Sequence, residues 1–457
     1  MKTIEEIMDY SRPIADVVRD LRVRNTRVPS WGELSKQYDA SKHPIMSDPE
    51  FMPRKGVKMC RVRLGWQKLA TRRMAELCFG IPVKHDYRVT DEQGQRAARI
   101  LEAIYSKNRM DAENINRARM IYAGCEFATI WYTQEQETMY GGERSATKIR
   151  CRTYSPMQGD IIYPLFDDFD DLVALSVEYH KNLGTEQVTY FESYTATEHN
   201  RWVQRAGTWE EDMPPEQMTI GKIAGVYAWR DEPIWEDESE NVSEAEYALS
   251  RNGNYIRKNS KPNWVVYADQ EDLVKFGQEK DTDSTARNVL HYPANAKAGF
   301  ETWSQATDAL EYHIKQIREN FHSQLQLPDM SFDSMKTTPM SGEARKMMFI
   351  DAQLKVTDEK GLWTEVLSRE MSVIKAFARL MFPSLAEAFD TLECDFVITP
   401  FSIQDMAEKV NVYTAATQKP IMSQRTAIQK LGEVDDVNEE MKRLAEEDAA
   451  TLEESVY

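Results

Sequence analysis

The chain has 457 residues, which is longer than one hydrophobic core usually supports, so at least two packed regions are expected. Hydrophobic residues make up 41% and charged residues 29%, a balance typical of folded proteins that excludes a disordered chain. The formal net charge of −18 disfavours nucleic-acid binding over the whole surface, so any contact with DNA must be local or weak.

The first residues, MKTIEEIMDYSRP, carry acids where a signal peptide needs an apolar core. Met59–Gly80 has the periodicity of one long amphipathic helix, which Gly80 and the following Pro82 would end. The surrounding stretch, residues 51–75, contains basic side chains and no acid. This asymmetry indicates a charged partner or, equally well, a solvated basic face. These basic side chains are Arg54, Lys55, Lys58, Arg61, Arg63, Lys68, Arg72 and Arg73.

A second helix is predicted over Asp111–Gly124, and the segment EFATIWYT after it has the β-branched and aromatic content of a strand. From Lys148 to Tyr227 the hydrophobic period changes to two. Short strands separated by polar turns follow one another, which predicts a meander-like sheet. The predicted strand segments are KIRCRTY, GDIIYPLFD, LVALSVEYH, VTYFESYT and RWVQRAG.

Asp231–Ile256 returns to a helical pattern with a narrow apolar seam, and Lys261-Pro262 ends it. The next 38 residues, 263–300, read as a compact insert with a strand WVVYA, an acidic stretch and a second strand-like segment NVLHYP. Ser304–Leu325 is again helical, with apolar residues along one face.

Pro328 and Pro339 bracket a polar loop, Leu327–Pro339, that cannot continue this helix. A long helical run over Gly342–Phe382 and a strand CDFVITPF follow. Three helices end the chain, and Ser423 is the predicted N-cap of the second one.

The motifs of common enzymes are missing, so we expect no catalytic residue, no metal site and no cofactor. Gly221-Lys222 lacks the rest of a P-loop, and neither a G-x-S-x-G elbow nor an H-E-x-x-H pair occurs. The five scattered cysteines lack a C-x-x-C pair, which favours reduced thiols in an intracellular protein. No apolar run is long enough to cross a membrane. The acidic run from Asp167 to Asp171 lacks calcium-loop spacing and is better explained as a turn.

Several segments, in this order, resemble the siphophage-type portal (head-to-tail connector) proteins of tailed bacteriophages. The C-terminal stretch from Ile421 to Glu440 resembles the "Ile-Ser-x-x-Thr … Leu … Val-x-Asp … Glu-x-Glu" ending of that family. Ser341-Gly342-Glu343-Ala344 resembles the step that opens the family's long helix after its tunnel loop, although Arg345-Lys346 follows where the family often has Leu-Lys. Further similar segments are Gly80-Ile81-Pro82-Val83, Gly124-Cys125-Glu126-Phe127-Ala128 and Ala228-Trp229-Arg230-Asp231-Glu232-Pro233.

The resemblance implies a mixed α/β, helix-rich portal fold with an α/β wing, a two-helix stem, a small α/β clip and a helical C-terminal crown. The implied division places the wing at 1–235 and 342–401, the stem helices at 236–262 and 303–326, the clip at 263–302, the tunnel loop at 327–341 and the crown at 402–457.

The same resemblance implies a dodecameric ring at one capsid vertex, which conducts double-stranded DNA during packaging and ejection. Implied partners are terminase, head-tail adaptor, major capsid and scaffolding proteins, and no membrane. The expected location is the virion, and the host cytoplasm during assembly.

Three groups of residues become candidates on this basis. The tunnel loop would touch DNA weakly, through its one base, and consists of Asp329, Met330, Ser331, Phe332, Asp333, Ser334, Met335, Lys336 and Thr337. A seam between stem helices or neighbouring subunits would be formed by Val242, Ala245, Leu249, Ile256, Ala306, Leu310, Ile314 and Ile317. Clip acids facing a basic terminase surface would be Glu271, Asp272, Glu279, Asp281 and Asp283.

Two alternatives stay open from the residues alone. Another phage head-tail connector or minor capsid protein would share the virion setting, but such proteins are usually shorter and lack a stem–clip–stem insert. A metal-dependent nuclease would need clustered acids beside a basic groove, and only residues 54–73 offer such a groove.

Overall fold

The computed structural model describes residues 3–53, 58–89, 91–184, 186–259, 263–267, 297–301, 307–329, 347, 349–401, 406–418, 421–431 and 437–454. Within these ranges the protein is a mixed α/β structure that is richer in helix than in strand, as predicted.

Helices occupy most of the first and last thirds of the chain. Those before the main sheets are α1 Ile4–Ile7, α2 Ile14–Leu21, α3 Trp31–Tyr38, α4 Pro44–Ser47, α5 Trp66–Phe79, α6 Glu92–Lys107 and α7 Met110–Gly124. Those after the main sheets are α8 Ser239–Asn259, α9 Thr307–Gln324, α10 Ile350–Met381, α11 Ala386–Thr391, α12 Met406–Gln418, α13 Gln424–Leu431 and α14 Val437–Glu454.

Several helix predictions are confirmed and two starts are wrong. The helix predicted over Asp231–Ile256 is α8, which begins only at Ser239 after a short 3-10 turn at Glu236–Glu238. The predicted Asp111–Gly124 helix is α7, and the Ser423 hydroxyl caps α13 by accepting a hydrogen bond from the Thr426 amide at 3.2 Å. The predicted Met59–Gly80 helix begins only at Trp66. Residues 58–65 are not helical because side chains of α8 bind several of their backbone groups, as described below.

The strands are β1 Lys84–Arg88, β2 Glu126–Tyr140, β3 Glu143–Tyr154, β4 Ile161–Phe166, β5 Leu172–Leu183, β6 Glu186–Tyr194, β7 Glu198–Arg205, β8 Thr208–Gln217, β9 Gly225–Trp229, β10 Asn263–Tyr267, β11 Lys297–Glu301 and β12 Glu393–Val397. The predicted meander is confirmed, because β4 to β8 form one antiparallel sheet in sequence order. A second sheet has the order β3-β2-β9.

Strand β8 was missed from sequence because it contains Pro214 and Pro215. Proline cannot donate a ladder hydrogen bond, but an edge strand tolerates it, and β8 lies at the edge of the meander sheet. The second predicted strand of the insert, NVLHYP, lies outside the described residues. The strand that pairs with β10 is β11, in an antiparallel register with Asn263 opposite Glu301.

Helix α10 connects the two main hydrophobic cores. Its N-terminal half packs with α5, α7 and β9 around Trp363, whose ring lies 4.6 Å from that of Phe79 and 5.9 Å from that of Phe127. Its C-terminal half packs with α6 and α11 against β2. The antiparallel pair of β1 with β12 brings the early and late parts of the chain together beside these cores.

None of the helices in the described part of the chain combines the length and the apolar character that crossing a membrane requires.

Candidate functional site

The two predicted stem helices, α8 and α9, pack against each other and against the second core. Val242 and Ala245 on α8 are buried, as is Ile317 on α9. Leu249, Leu310 and Ile314 are only partly buried, and Ile256 is 54% exposed. Ala306 lies outside the described residues. The predicted seam is therefore packed inside the protomer at one end and leaves apolar side chains accessible at the other.

A segment that we call the strap, residues 58–64, lies extended along α8. The backbone N–H groups of Cys60, Val62 and Leu64 donate to side-chain oxygens of α8. The acceptors are Asn254 Oδ1 at 2.5 Å, Ser250 Oγ at 2.8 Å and Glu246 Oε1 at 2.6 Å, respectively. The strap thus runs antiparallel to the helix.

The spacing explains why the strap and helix fit. Residues four apart on a helix lie on one face and rise by about 6 Å. Alternate residues of an extended chain rise by about 6.6 Å, so every second N–H meets the next acceptor. Gly253 permits the close approach, because a Cβ there would lie 2.5 Å from Cys60 Sγ.

His43 and Glu246 fix α4 to the same helix. Both side chains are buried, with His43 Nδ1 2.7 Å from Glu246 Oε1, while His43 Nε2 lies 2.7 Å from the Gln37 carbonyl oxygen. A carbonyl only accepts, so Nε2 carries a proton, and a charged Glu246 makes Nδ1 the second donor. Burial lowers the pKa of His43, but the hydrogen bond and charge of Glu246 outweigh it, and the net direction is upward.

The start of the predicted tunnel loop is anchored to the stem. Asp329 forms a salt bridge of 2.7 Å with Arg318 on α9, and His322 Nδ1 lies 3.1 Å from the Leu327 carbonyl oxygen. Lys355 Nζ on α10 donates to the Leu325 carbonyl at 2.9 Å. Asp329 is thus anchored to α9 by this salt bridge. The remaining candidates of this loop, from Met330 to Thr337, lie outside the described residues.

The clip is described only through the antiparallel pair β10 and β11, which joins the ends of the insert. All five acidic clip candidates lie outside the described residues: Glu271, Asp272, Glu279, Asp281 and Asp283.

The acidic run after β4 forms the predicted turn. Asp167 Oδ1 accepts hydrogen bonds from the backbone amides of Phe169 at 2.8 Å and Asp171 at 2.9 Å. Asp170 has a positive φ of 63°, a conformation that aspartate tolerates better than most residues. Within the described ranges, no group of three or more His, Cys, Asp or Glu side chains could hold a metal ion.

Comparison with protein families gives one match over nearly the whole chain, residues 21–454, to the family described as "Phage portal protein, SPP1 Gp6-like". The chain belongs to this phage portal protein family. The resemblance of the ordered segments is thereby confirmed, and with it the portal type of fold. Comparison with the curated proteins gives no match.

Similar solved structures come from gene transfer agent (GTA) particles. The neck of a native GTA particle, computed with C12 symmetry, has 9% identity and a TM-score of 0.41, covering 91% of this chain and 97% of that chain. The neck of an empty particle, computed with C6 symmetry, has 8% identity and a TM-score of 0.40, covering 87% and 93%. The virion of a native particle has 9% identity and a TM-score of 0.40, covering 90% and 95%.

The strap is the feature of this portal protein that sequence reasoning missed. A signal was present, since Glu246, Ser250 and Asn254 recur every fourth residue and all three carry acceptor oxygens. The basic character of residues 58–64 obscured it, because such charges usually suggest a helix face or a partner. Arg61 instead donates to the Met46 carbonyl oxygen at 3.1 Å.

Proposed function

We propose that this portal protein is one subunit of a dodecameric ring at a single capsid vertex, through which viral DNA enters during packaging and leaves during ejection. The observation that carries this proposal is the family match over residues 21–454. The predicted stem supports it, because α8 and α9 expose the apolar side chains of Ile256 and Tyr312. Apolar side chains presented in this way suit a contact with a neighbouring subunit.

The charge of the chain suits a conduit more than a DNA-binding protein. Each phosphate contact made by Lys or Arg releases counterions and adds affinity, so a strongly basic lining would hold DNA in place. A subunit with a formal charge of −18 would instead repel the duplex over most of its surface. We assign the remaining weak contact to the tunnel loop, residues 327–341, and specifically to Lys336.

The division into wing, stem, clip and crown, with the boundaries given above, is part of this proposal. The acidic clip, residues 263–302, is the docking surface for terminase, and head-completion adaptors, scaffolding and major capsid protein are further partners. The chain itself has a structural role, and ATP hydrolysis belongs to a partner. Assembly takes place in the host cytoplasm, and the finished ring resides in the virion.

Particle mass tests the ring directly. We expect purified protein to give closed rings in negative-stain images and a particle mass many times that of the subunit by mass photometry. Single subunits at micromolar concentration, together with the absence of rings in images, would refute the proposal. A connector or minor capsid protein without a stem would give particles lacking the long central tunnel.

A further inference from the structure

The hairpin between β4 and β5 ends in a tip, residues 167–171, that displays an aromatic ring to solvent. Phe169 is 87% exposed. The tip is held in shape by Asp167, which binds two backbone amides of the same turn, and by the left-handed backbone at Asp170. A large apolar side chain on a rigid turn loses little conformational entropy when it binds a pocket.

The tip also carries negative charge. Asp168 and Asp170 are both exposed and form no salt bridge among the described residues, although Arg24, Arg27 and Arg369 line the cavity beside Asp170. An aromatic anchor flanked by carboxylates would fit a pocket with an apolar floor and a basic rim.

Such a pocket, which we call the socket, lies beside the C-terminal half of α10. It is a cavity of about 530 Å³ between α10, residues 219–222, α11 and β12. Its apolar lining comes from Ile220, Met371, Leu380, Phe389 and Phe396, and its basic lining from Lys222, Lys375 and Arg379. Cavities of this size accept a phenyl ring with its flanking groups.

The basic side chains of the socket are poorly neutralised. Lys222 Nζ donates to Ser372 Oγ at 2.6 Å, and Lys375 Nζ donates to the Leu392 carbonyl oxygen. Neither lysine has a carboxylate within salt-bridge distance in the described ranges, whereas Arg379 pairs with Asp390 at 3.1 Å. Burial lowers the pKa of Lys375, and the charge of Lys222 lowers it further. An added carboxylate would relieve this repulsion.

We propose that the tip of one copy of this chain inserts Phe169 into the socket of a neighbouring copy, with Asp168 and Asp170 facing Lys222 and Lys375. This contact rests on the proposed ring, in which it would form part of one intersubunit interface. Burying one phenylalanine removes about 150–250 Å² of surface from water, while the opposite charges fix the orientation.

The positions of tip and socket suit a ring. The cavity beside the tip is lined by Leu362, Glu365, Val366 and Arg369 of α10, and the socket by Ser368, Ser372, Lys375 and Arg379 of the same helix. At 100° per residue these two sets point about a quarter turn apart. Two different patches that bind each other form a head-to-tail interface, which gives a ring when the rotation between copies closes and an open filament when it does not.

Disulfide trapping tests the contact in assembled protein. The double variant Phe169→Cys with Leu380→Cys places one thiol on the tip and one on the half-exposed edge of the socket. We expect oxidation of its rings to give a ladder of cross-linked subunits on a non-reducing gel. Both variants carry Cys394→Ser, because the free thiol of Cys394 also lines the socket. The matched control pairs Phe169→Cys with Met139→Cys, which is 51% exposed on β2, and should give no ladder.

The outcomes separate this contact from the ring itself. A wild-type chain that stays monomeric overturns both proposals. Double-variant rings of normal mass that give no ladder overturn the contact alone, and they assign the socket to another occupant, such as a free oxyanion or a different virion protein.

Charge exchange supplies a second measurement. Asp168→Lys with Asp170→Lys should slow ring assembly at least several-fold, because like charges then meet at the socket. Lys222→Asp with Lys375→Asp should do the same. Combining all four changes should restore part of the rate, whereas strictly additive losses count against the pairing.

Discussion

Arg117 on α7 forms a bidentate salt bridge with Glu370 on α10, and both side chains are completely buried. Nη1 lies 2.6 Å from Oε1 and Nη2 lies 3.0 Å from Oε2. Trp131 Nε1 and the Tyr105 hydroxyl also donate to this carboxylate, at 3.1 and 2.9 Å. One carboxylate thus joins α6, α7 and β2 to the long helix α10, across the two parts of the chain that are predicted to form the wing.

Removing Glu370 should destabilise the protomer strongly. Glu370→Ala leaves the Arg117 charge buried without its partner, which costs about 3–5 kcal/mol in proteins. The control is Glu365→Ala, which breaks an exposed pair with Arg369 on the same helix and should cost about 0.5 kcal/mol or less. Urea unfolding of both variants measures the difference. Equal losses of unfolding free energy in the two variants would show that the buried salt bridge stabilises the protein no more than the exposed one does.

The contact between His43 and Glu246 should make stability depend on pH. The pKa of His43 is raised by folding above its ordinary 6.5, so its contribution is fully present below that value. The contribution is lost as the pH rises through the folded pKa. The groups that face this ring are Glu246, the nearby Asp39 and the Gln37 carbonyl, and the Leu64 amide donates to the same Glu246 carboxylate.

The measurement is urea unfolding of wild type and His43→Gln at pH 6 and pH 9. We expect wild type to lose more stability than the variant over this interval. His313→Gln is the control, since His313 is half exposed and lies 3.3 Å from Glu244, and it should keep the wild-type dependence. Identical pH profiles for wild type and His43→Gln would contradict the charged-histidine assignment.

The strap predicts opposite effects for the same substitution at two glycines. Gly253→Ala places a methyl group against Cys60, and we expect a loss of about 1–3 kcal/mol from overpacking. Gly361→Ala on α10 meets nothing within 4 Å and should gain about 0.5–1 kcal/mol from helix propensity. Thermal unfolding compares them. Adding Cys60→Ala to Gly253→Ala should recover part of the loss, and a lack of recovery would place the strain elsewhere.

Local patterns predicted the local elements of this fold, and long-range contacts overrode them in specific places. Period-two hydrophobicity located the meander strands, because each buries one face. The start of the Met59–Gly80 helix failed because Glu246, Ser250 and Asn254 offer acceptors that compete with helical hydrogen bonds for the strap. No periodicity could pair Arg117 with Glu370, since the contact spans 253 positions. The tunnel loop and clip acids remain predictions.

Leu310 tests the part of the stem seam that is left accessible. Leu310 is partly buried on α9. The charge introduced by Leu310→Asp can be solvated by water in the isolated protomer, but it would lose that solvation in an intersubunit interface. We expect a folded subunit, verified by circular dichroism and thermal unfolding, that does not form rings by mass photometry. Glu311→Ala, a change of one charge on the adjacent exposed residue, is the control and should assemble. If Leu310→Asp forms normal rings, the seam is a contact within one protomer and not an intersubunit contact.

Lys336 should be the position at which the tunnel touches DNA. It is the single basic residue between Leu327 and Pro339, where Asp329 and Asp333 would repel phosphate. Because Arg318 holds Asp329 on the stem, that carboxylate is partly neutralised and the loop starts from a fixed point. We expect Lys336→Cys carrying a photoactivatable cross-linker to give DNA adducts in filled particles, with similar yields for unrelated DNA sequences.

The matched control for this cross-link is Lys315→Cys, which replaces a 69% exposed lysine on α9 outside the loop. Adducts at both positions would indicate DNA on the outside of the stem, and adducts at neither would remove the loop from the conduit. A phosphate contact of this kind weakens as salt rises, since it depends on counterion release. This salt dependence needs a variant that keeps Lys336, so the cross-linker is placed on Ser334→Cys, and its adduct yield should fall between 50 and about 200 mM salt.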